Sequence, residues 1–337
     1  MQQRSHGQQT FTDLAVVKLG GPRTAATLGK IDAFVPWTAL VAPIRKLPEY
    51  AKFIDDPSRP GQRPIDPVVM IKALFLQKLY GLSDPQIEEQ LLDRVSFRRF
   101  VGLAQADKTP DETTFVKFRV RLREANLDTV IFDTILKAID KQGLLLKEGT
   151  IVDATLLPQA RVPQARGRKT CQKDDDGNPV TTRDPQASFT KKQGKTYPGY
   201  KLHAATDCSG IITDVITSTA KDHDSQYIDA LVEEETRAVL ADNAYSDRDR
   251  RERVESRGVA TGIIYRRARG EKELSGWKKK FNRVVSRIRA VGEHPFAWMK
   301  KLMHFRSCRY RGMRRNDFDF VMTTAVYNVK KAVSLLG

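Results

Sequence analysis

Three carboxylates stand out by their surroundings. Asp153 lies in the run Glu148-Gly-Thr-Ile-Val-Asp-Ala-Thr-Leu-Leu157, a β-branched segment between a glycine and a later proline, which is the pattern of a buried strand. A carboxylate on such a strand is costly unless it is paired or holds a cation. Asp242 sits in Ala238-Val-Leu-Ala-Asp-Asn-Ala-Tyr245, and Glu293 in Arg289-Ala-Val-Gly-Glu-His-Pro-Phe296, again among apolar residues. Acids supplied by three separate elements of a strongly basic chain suggest a metal-dependent, nuclease-like centre. The alternative for Asp153 and Asp242 is an acid capping a following turn.

Two kinds of element must position them. Up to about residue 145 the pattern is helical throughout. Asp66 and Pro67 make a cap and first helical position for a helix striped by Val68, Ile71, Leu74, Phe75 and Leu79 and stopped by Gly81. Ser83-Asp-Pro-Gln86 reads as a capping box, and Thr109-Pro-Asp-Glu112 as a second with Pro110 at the first helical position. A basic amphipathic helix over 110–125 and another over 127–142 follow. Past Gly143 the period becomes extended. Strands are expected at 149–155, 200–207 and 211–217, the last two flanking a turn at Asp207-Cys-Ser-Gly210. Asp224 or Ser225 caps a helix, 238–242 and 259–265 are strands, 274–302 is a helix with a break near Pro295, and 318–335 is an apolar helix. The fold class is therefore α/β: a mixed sheet with helices on its faces, preceded by an all-helical region. Two domains are expected, 1–145 and 146–337, with a basic insertion loop over 158–198.

Charge narrows the partner. The 337 residues carry 58 Lys and Arg against 41 Asp and Glu, a formal charge of +17. An excess of that size favours a polyanion, nucleic acid first. The cations crowd into 161–201 and 248–315. No run approaches a membrane span and no signal core follows Met1, so a cytoplasmic protein is expected. Cys171, Cys208 and Cys308 fit no metal-finger spacing and read as free thiols. His203, His223 and His304 form no compact zinc motif with Cys208. Asp174-Asp-Asp-Gly-Asn178 lacks the closing Glu of a calcium loop.

Several stretches together resemble bacterial insertion-sequence DDE transposases of the IS5 group, within the IS4-like superfamily. They are Ser96–Leu103 with Thr109–Phe115 and Phe118-Arg119; Val152-Asp-Ala-Thr155; Thr182-Arg-Asp-Pro185, Thr190-Lys-Lys192, Gly199–His203, Thr219-Ala220 and His223-Asp224; and Ala241–Tyr245, Arg289–Lys300, Arg309–Gly312 and Asn316. The resemblance implies a ribonuclease-H-like catalytic domain in which Asp153, Asp242 and Glu293 bind two Mg²⁺ ions, with Mn²⁺ as a substitute. It implies further that Arg289 and Lys300 are catalytic, matching Arg-x3-Glu-x6-Lys of a signature whose Tyr position holds Ser286. His223 and Asp224 are expected to support the site from behind. Lys191, Lys192, Lys195, Lys201, Arg309 and Arg311 are expected on DNA, and Trp298 could stack on a base near the DNA end. The expected activity is binding of terminal inverted repeats, cleavage at each element end and transfer of the 3′ hydroxyl into target DNA, by a homodimer or larger synaptic assembly at the nucleoid. The alternative is a decayed protein that binds repeats without cutting. Three departures from the family pattern are Ala244 before Tyr245, Gly292 before Glu293, where glycine loosens a helix, and Lys221 for the usual Asn.

Overall fold

The computed structural model describes residues 23–56, 58–159, 184–192, 194–232, 236–242, 245, 248–267 and 273–337. The chain divides into two compact units: Met1–Leu144 with Leu302–His304 and Met322–Gly337, and Leu145–Lys301 with Phe305–Val321.

The first unit is helical: α1 (Arg23–Phe34), α2 (Trp37–Arg45), α3 (Pro48–Asp55), α4 (Pro67–Leu79), α5 (Asp84–Asp93), α6 (Val95–Val101), α7 (Glu112–Glu124) and α8 (Leu127–Lys141). Its ends follow local chemistry. The Asp66 carboxylate accepts from Val68 N to open α4, and Ser83 with Gln86 forms the complete capping box of α5. The second expected box is different. Asp111 caps α7 by accepting from Thr114 N, Pro110 stays outside the helix, and Thr109 accepts from Arg98 instead. The buried Arg98 guanidinium also donates to the carbonyls of Leu91, Ala104, Gln105 and Asp107, so one side chain folds the α6–α7 connection around itself. Arg119 binds Asp84 through both terminal nitrogens, at 2.7 and 2.5 Å. That bidentate fork ties α7 to the start of α5.

The second unit contains one mixed sheet. Its strands are β1 (Thr150–Pro158), β2 (Ser188–Lys192), β3 (Lys195–Asp207), β4 (Ile212–Thr219), β5 (Ala238–Ala241) and β6 (Ala260–Ile263). The order is β2-β3-β1-β5-β6, with β4 beside β2 on the edge of β3 away from β1. β4, β3 and β1 pair antiparallel, whereas β5 and β6 continue parallel to β1. This agrees with the ribonuclease-H-like expectation. Short helices α9 (Ile228–Leu231) and α10 (Arg248–Ser256) cross between strands, and two long ones, α11 (Gly276–Leu302) and α12 (Met313–Leu335), close the chain, α12 belonging to the first unit from Met322 on. No helix among the described residues is long and apolar enough to cross a membrane.

Three local expectations change. Residues 188–192 and 195–198, expected inside a loop, pair as the antiparallel strands β2 and the start of β3. Pro158 and Ser188 both pair with Gly199, so β1 and β2 flank β3 on opposite edges, and β2 continues the edge that β4 occupies further along. The backbone there is so close that a Cβ on Gly199 would sit 2.2 Å from Leu157 O. Second, His223 rather than Asp224 or Ser225 caps the turn Asp224–Gln226, its Nδ1 accepting from Ser225 N. Third, α10 escaped the sequence reading because a run as charged as Arg248–Ser256 shows almost no apolar stripe. The acidic cluster Asp174–Asn178 and most of the basic insertion lie outside the described residues.

Candidate catalytic centre

Strand alternation sorts the site. Ile151, Asp153 and Thr155 share one face of the sheet, and Val152 and Ala154 the other. The register places Ile151 beside Leu240 and Val152 beside Ala241. Asp242, one residue past the end of β5, therefore continues on the Asp153 face. Ile151, Leu240 and Val285 of α11 form a small core on that face, with Ile264, Phe281 and Val291 packed against it. The opposite face carries a larger core around Val152, Ala205, Ala241, Tyr245 and Ile263.

Helix α11 lies along β1 and delivers its side chains in step with the strand. Gly292 meets Ile151, Arg289 reaches Asp153 while pairing with Glu293 one turn on, and the Lys300 ammonium donates to the Thr155 hydroxyl. From Gly292 to Lys300 the helix rises about 12 Å. Ile151 to Thr155 spans about 13 Å of strand, so the two sets stay in register. The approach requires a glycine: a Cβ at position 292 would stand 2.5 Å from Ile151 Cγ2. Gly292, expected to loosen the helix, instead lets it close on β1. The helical assignment runs unbroken through Pro295, which is buried.

One guanidinium joins two of the acids. Arg289 Nη2 lies 2.6 Å from Glu293 Oε1 and Nη1 lies 4.0 Å from Asp153 Oδ1. Burial pushes the Asp153 carboxyl up to about 6, the Ala154 amide and Arg289 oppose the shift, and the charges of Glu293 and Asp242 add to it. The electrostatics thus register all three acids in one neighbourhood. Tyr245, whose amide bonds to Asp242 O at 3.0 Å, buries its ring in the opposite core. Burial and the charges of Asp224, Asp153 and Asp242 raise its phenol, against Arg289.

The other expected residues separate. Lys201 pairs with Leu156, which puts it on the face away from Asp153. There its ammonium donates to Asp222 O at 2.7 Å and to Asp224 Oδ1 at 2.8 Å. That inward pairing takes it out of the surface set expected on DNA, and Asp224 serves as its counter-ion. His223 is occupied as a cap. His203, buried on the same face, donates or accepts at Ser218 Oγ, 2.7 Å away, and stacks on Tyr227 at 4.3 Å between centroids. Desolvation lowers its imidazole to about 4. Lys191 and Lys195 are exposed on the hairpin of β2 and β3, Lys192 lies at its turn, and Arg309 and Arg311 are exposed before α12.

Two contributors were not singled out from sequence. Thr155 holds Lys300, a pairing that the two-residue strand period from Asp153 would have flagged. Asp184, 4% exposed, accepts from Tyr200 Oη at 2.7 Å, Gln186 N at 3.0 Å and Gly312 N at 2.7 Å. It fixes the chain entering β2 to the turn that starts α12. Ala244 lies outside the described residues.

Among the described residues no group of three His, Cys, Asp or Glu side chains is gathered closely enough to hold a metal ion. The donor chemistry nevertheless fits one: hard carboxylate oxygens from three elements, with a guanidinium standing among them as a stand-in cation.

A family described as Transposase DDE domain matches residues 145–329, and one described as Transposase domain (DUF772) matches residues 22–121. Neither description distinguishes the IS5 group. No solved structure matches the chain.

Proposed function

The chain belongs to the DDE-domain transposases, and on that footing we propose that it binds the terminal inverted repeats of an insertion sequence, cleaves the DNA at each element end and transfers the 3′ hydroxyl into target DNA. The observation that supports this reading is that Asp153 of β1 and Glu293 of α11 share the Arg289 guanidinium, with Asp242 following β5 on the same face of the sheet. Asp153, Asp242 and Glu293 would hold divalent cations, Mg²⁺ or Mn²⁺, which when bound activate the attacking oxygen and stabilise the leaving one. Lys300, steadied by Thr155, presents its ammonium on the Asp153 face and neutralises a nearby phosphate. Lys191, Lys192, Lys195, Arg309 and Arg311 position the duplex through its backbone and carry little sequence information. End recognition falls to the helical region up to residue 145, and pairing of two ends calls for a homodimer or larger assembly. Incubation with a labelled element end, a supercoiled target and Mg²⁺ tests the proposal. Labelled end covalently joined to target supports it. Binding to repeat DNA with neither nicking nor joining would instead favour a decayed repeat-binding protein.

A further inference from the structure

The resemblance makes Arg289 a catalytic residue, and its geometry points inward, toward the acids. Its side chain is 13% exposed, although the same helix carries Lys279, Lys280, Arg283 and Arg287 exposed. Its two terminal nitrogens serve Glu293 and Asp153, acids from different elements. Its Nε–H is buried without a hydrogen-bond partner, a cost that a guanidinium settled in its final position would not carry. The acids around it share a neighbourhood but do not close into a three-ligand group among the described residues. A planar guanidinium between carboxylates keeps them farther apart than a small cation would, since Mg²⁺ takes oxygen ligands at about 2.1 Å.

We propose that Arg289 is a resident counter-cation, which neutralises the Asp153–Glu293 pair in the metal-free protein and gives up that place when divalent cations enter. This deepens the proposed function and rests on its metal reading. Without a cation between them, the two acids would repel across the α11–β1 contact. With Arg289 there, the metal-free site stays assembled, and metal entry becomes an exchange of one cation for another. Once displaced, the guanidinium is free to meet a DNA phosphate bidentately, so phosphate capture by Arg289 follows metal loading.

The sign of one measurement separates this from a simple phosphate clamp. A resident cation competes with metal, so its removal must tighten metal binding, whereas a clamp that contacts only DNA leaves metal binding in the absence of DNA unchanged. Isothermal titration of full-length protein with Mn²⁺, without DNA, is the assay. Arg289→Gln is expected to bind Mn²⁺ about tenfold more tightly than the parent, an interaction between unit charges at a few ångströms in a partly buried site. Arg289→Lys should stay closer to the parent, and Arg283→Gln, at an exposed position of the same helix, should match it. Should Arg289→Gln fold poorly, the Nε–Hε resonance of Arg289 in the labelled parent provides the second readout, and it should shift on Mg²⁺ addition. Equal or weaker Mn²⁺ binding by Arg289→Gln, or a resonance unmoved at saturating Mg²⁺, overturns the exchange while leaving the metal reading intact. No Mn²⁺ binding by parent or variants overturns the metal reading, and the exchange with it.

Discussion

Replacing Gly292 by Ala puts one methyl group into the tightest contact of the centre. The new Cβ would lie 2.5 Å from Ile151 Cγ2 and 3.2 Å from Ile151 Cβ. Ordinary carbon contacts are about 3.5–4.0 Å, so α11 must withdraw from β1 by roughly 1 Å. Overpacking of this kind costs about 1–3 kcal/mol, while Ala is favoured over Gly inside a helix by about 1 kcal/mol. Stability should therefore change by no more than about 2 kcal/mol. Catalysis should suffer more, because Arg289, Glu293 and Lys300 move with the helix, and a misplacement of about 1 Å can cost 10²-fold. The assay is single-turnover cleavage of a labelled element end at saturating protein, beside thermal denaturation and DNA binding. We expect cleavage to fall about 100-fold with binding retained. Ile151→Ala in the same chain removes the 2.5 Å contact and should restore at least tenfold relative to the additive expectation for the two changes. Parent-rate cleavage by Gly292→Ala, or strictly additive losses in the double variant, would refute the argument that this glycine sets the helix–strand distance.

Asp153 predicts an unusual pH dependence in chelator. Its carboxyl is raised from 3.8 to about 6, chiefly by burial, so between those values the folded protein binds more protons than the unfolded chain. Stability should fall as pH rises through that window, by about 2–3 kcal/mol; Asp153→Asn should lack this component and exceed the parent at pH 7.5, and identical pH slopes in denaturant titrations would count against it. Arg98→Lys retains the charge but cannot serve five acceptors. It should destabilise the helical unit by about 3 kcal/mol, read as protease sensitivity of the α6–α7 connection, and unchanged resistance would contradict the role given to Arg98. Lys191→Ala and Lys195→Ala should each lower the salt slope of DNA binding by about one unit. Lys201→Ala should leave that slope alone and lower thermal stability, and the reverse pattern would return Lys201 to the DNA surface.

Much of this arrangement was legible because it rests on local chemistry. The Asp66 and Ser83 caps, the β-branched run of β1 and the turn at Asp207 depend on neighbours a few residues away, and each appears as expected. Helix α4, by contrast, is buried nearly all round, Val69, Met70, Ala73 and Leu76 included, and not along the single stripe read from its spacing. The misreadings came from long-range partners. Thr109 looked like a cap, but Arg98 claims its hydroxyl from eleven residues away. Lys201 read as one more surface cation, because no spacing rule shows that Asp224 will meet it across strands. Gly292 read as a weak point, since only the fold brings Ile151 against it. At the centre, sequence named the acids, but the inward turn of Arg289 depends on which face of α11 the sheet receives.

The central claim is that Asp153, Asp242 and Glu293 act as one metal-dependent centre. Its most direct test compares Asp153→Asn, Asp242→Asn and Glu293→Gln with the parent in Mg²⁺-dependent cleavage of a labelled element end, at protein concentrations that saturate the DNA. Each change removes a charge while nearly preserving side-chain shape. The account predicts that the parent cleaves only with a divalent cation, and that every variant binds the end yet cleaves at least 10³-fold more slowly, in line with the loss of transition-state stabilisation at a shared site. Parent-like cleavage by any one of the three, or cleavage by the parent in chelator, would contradict it.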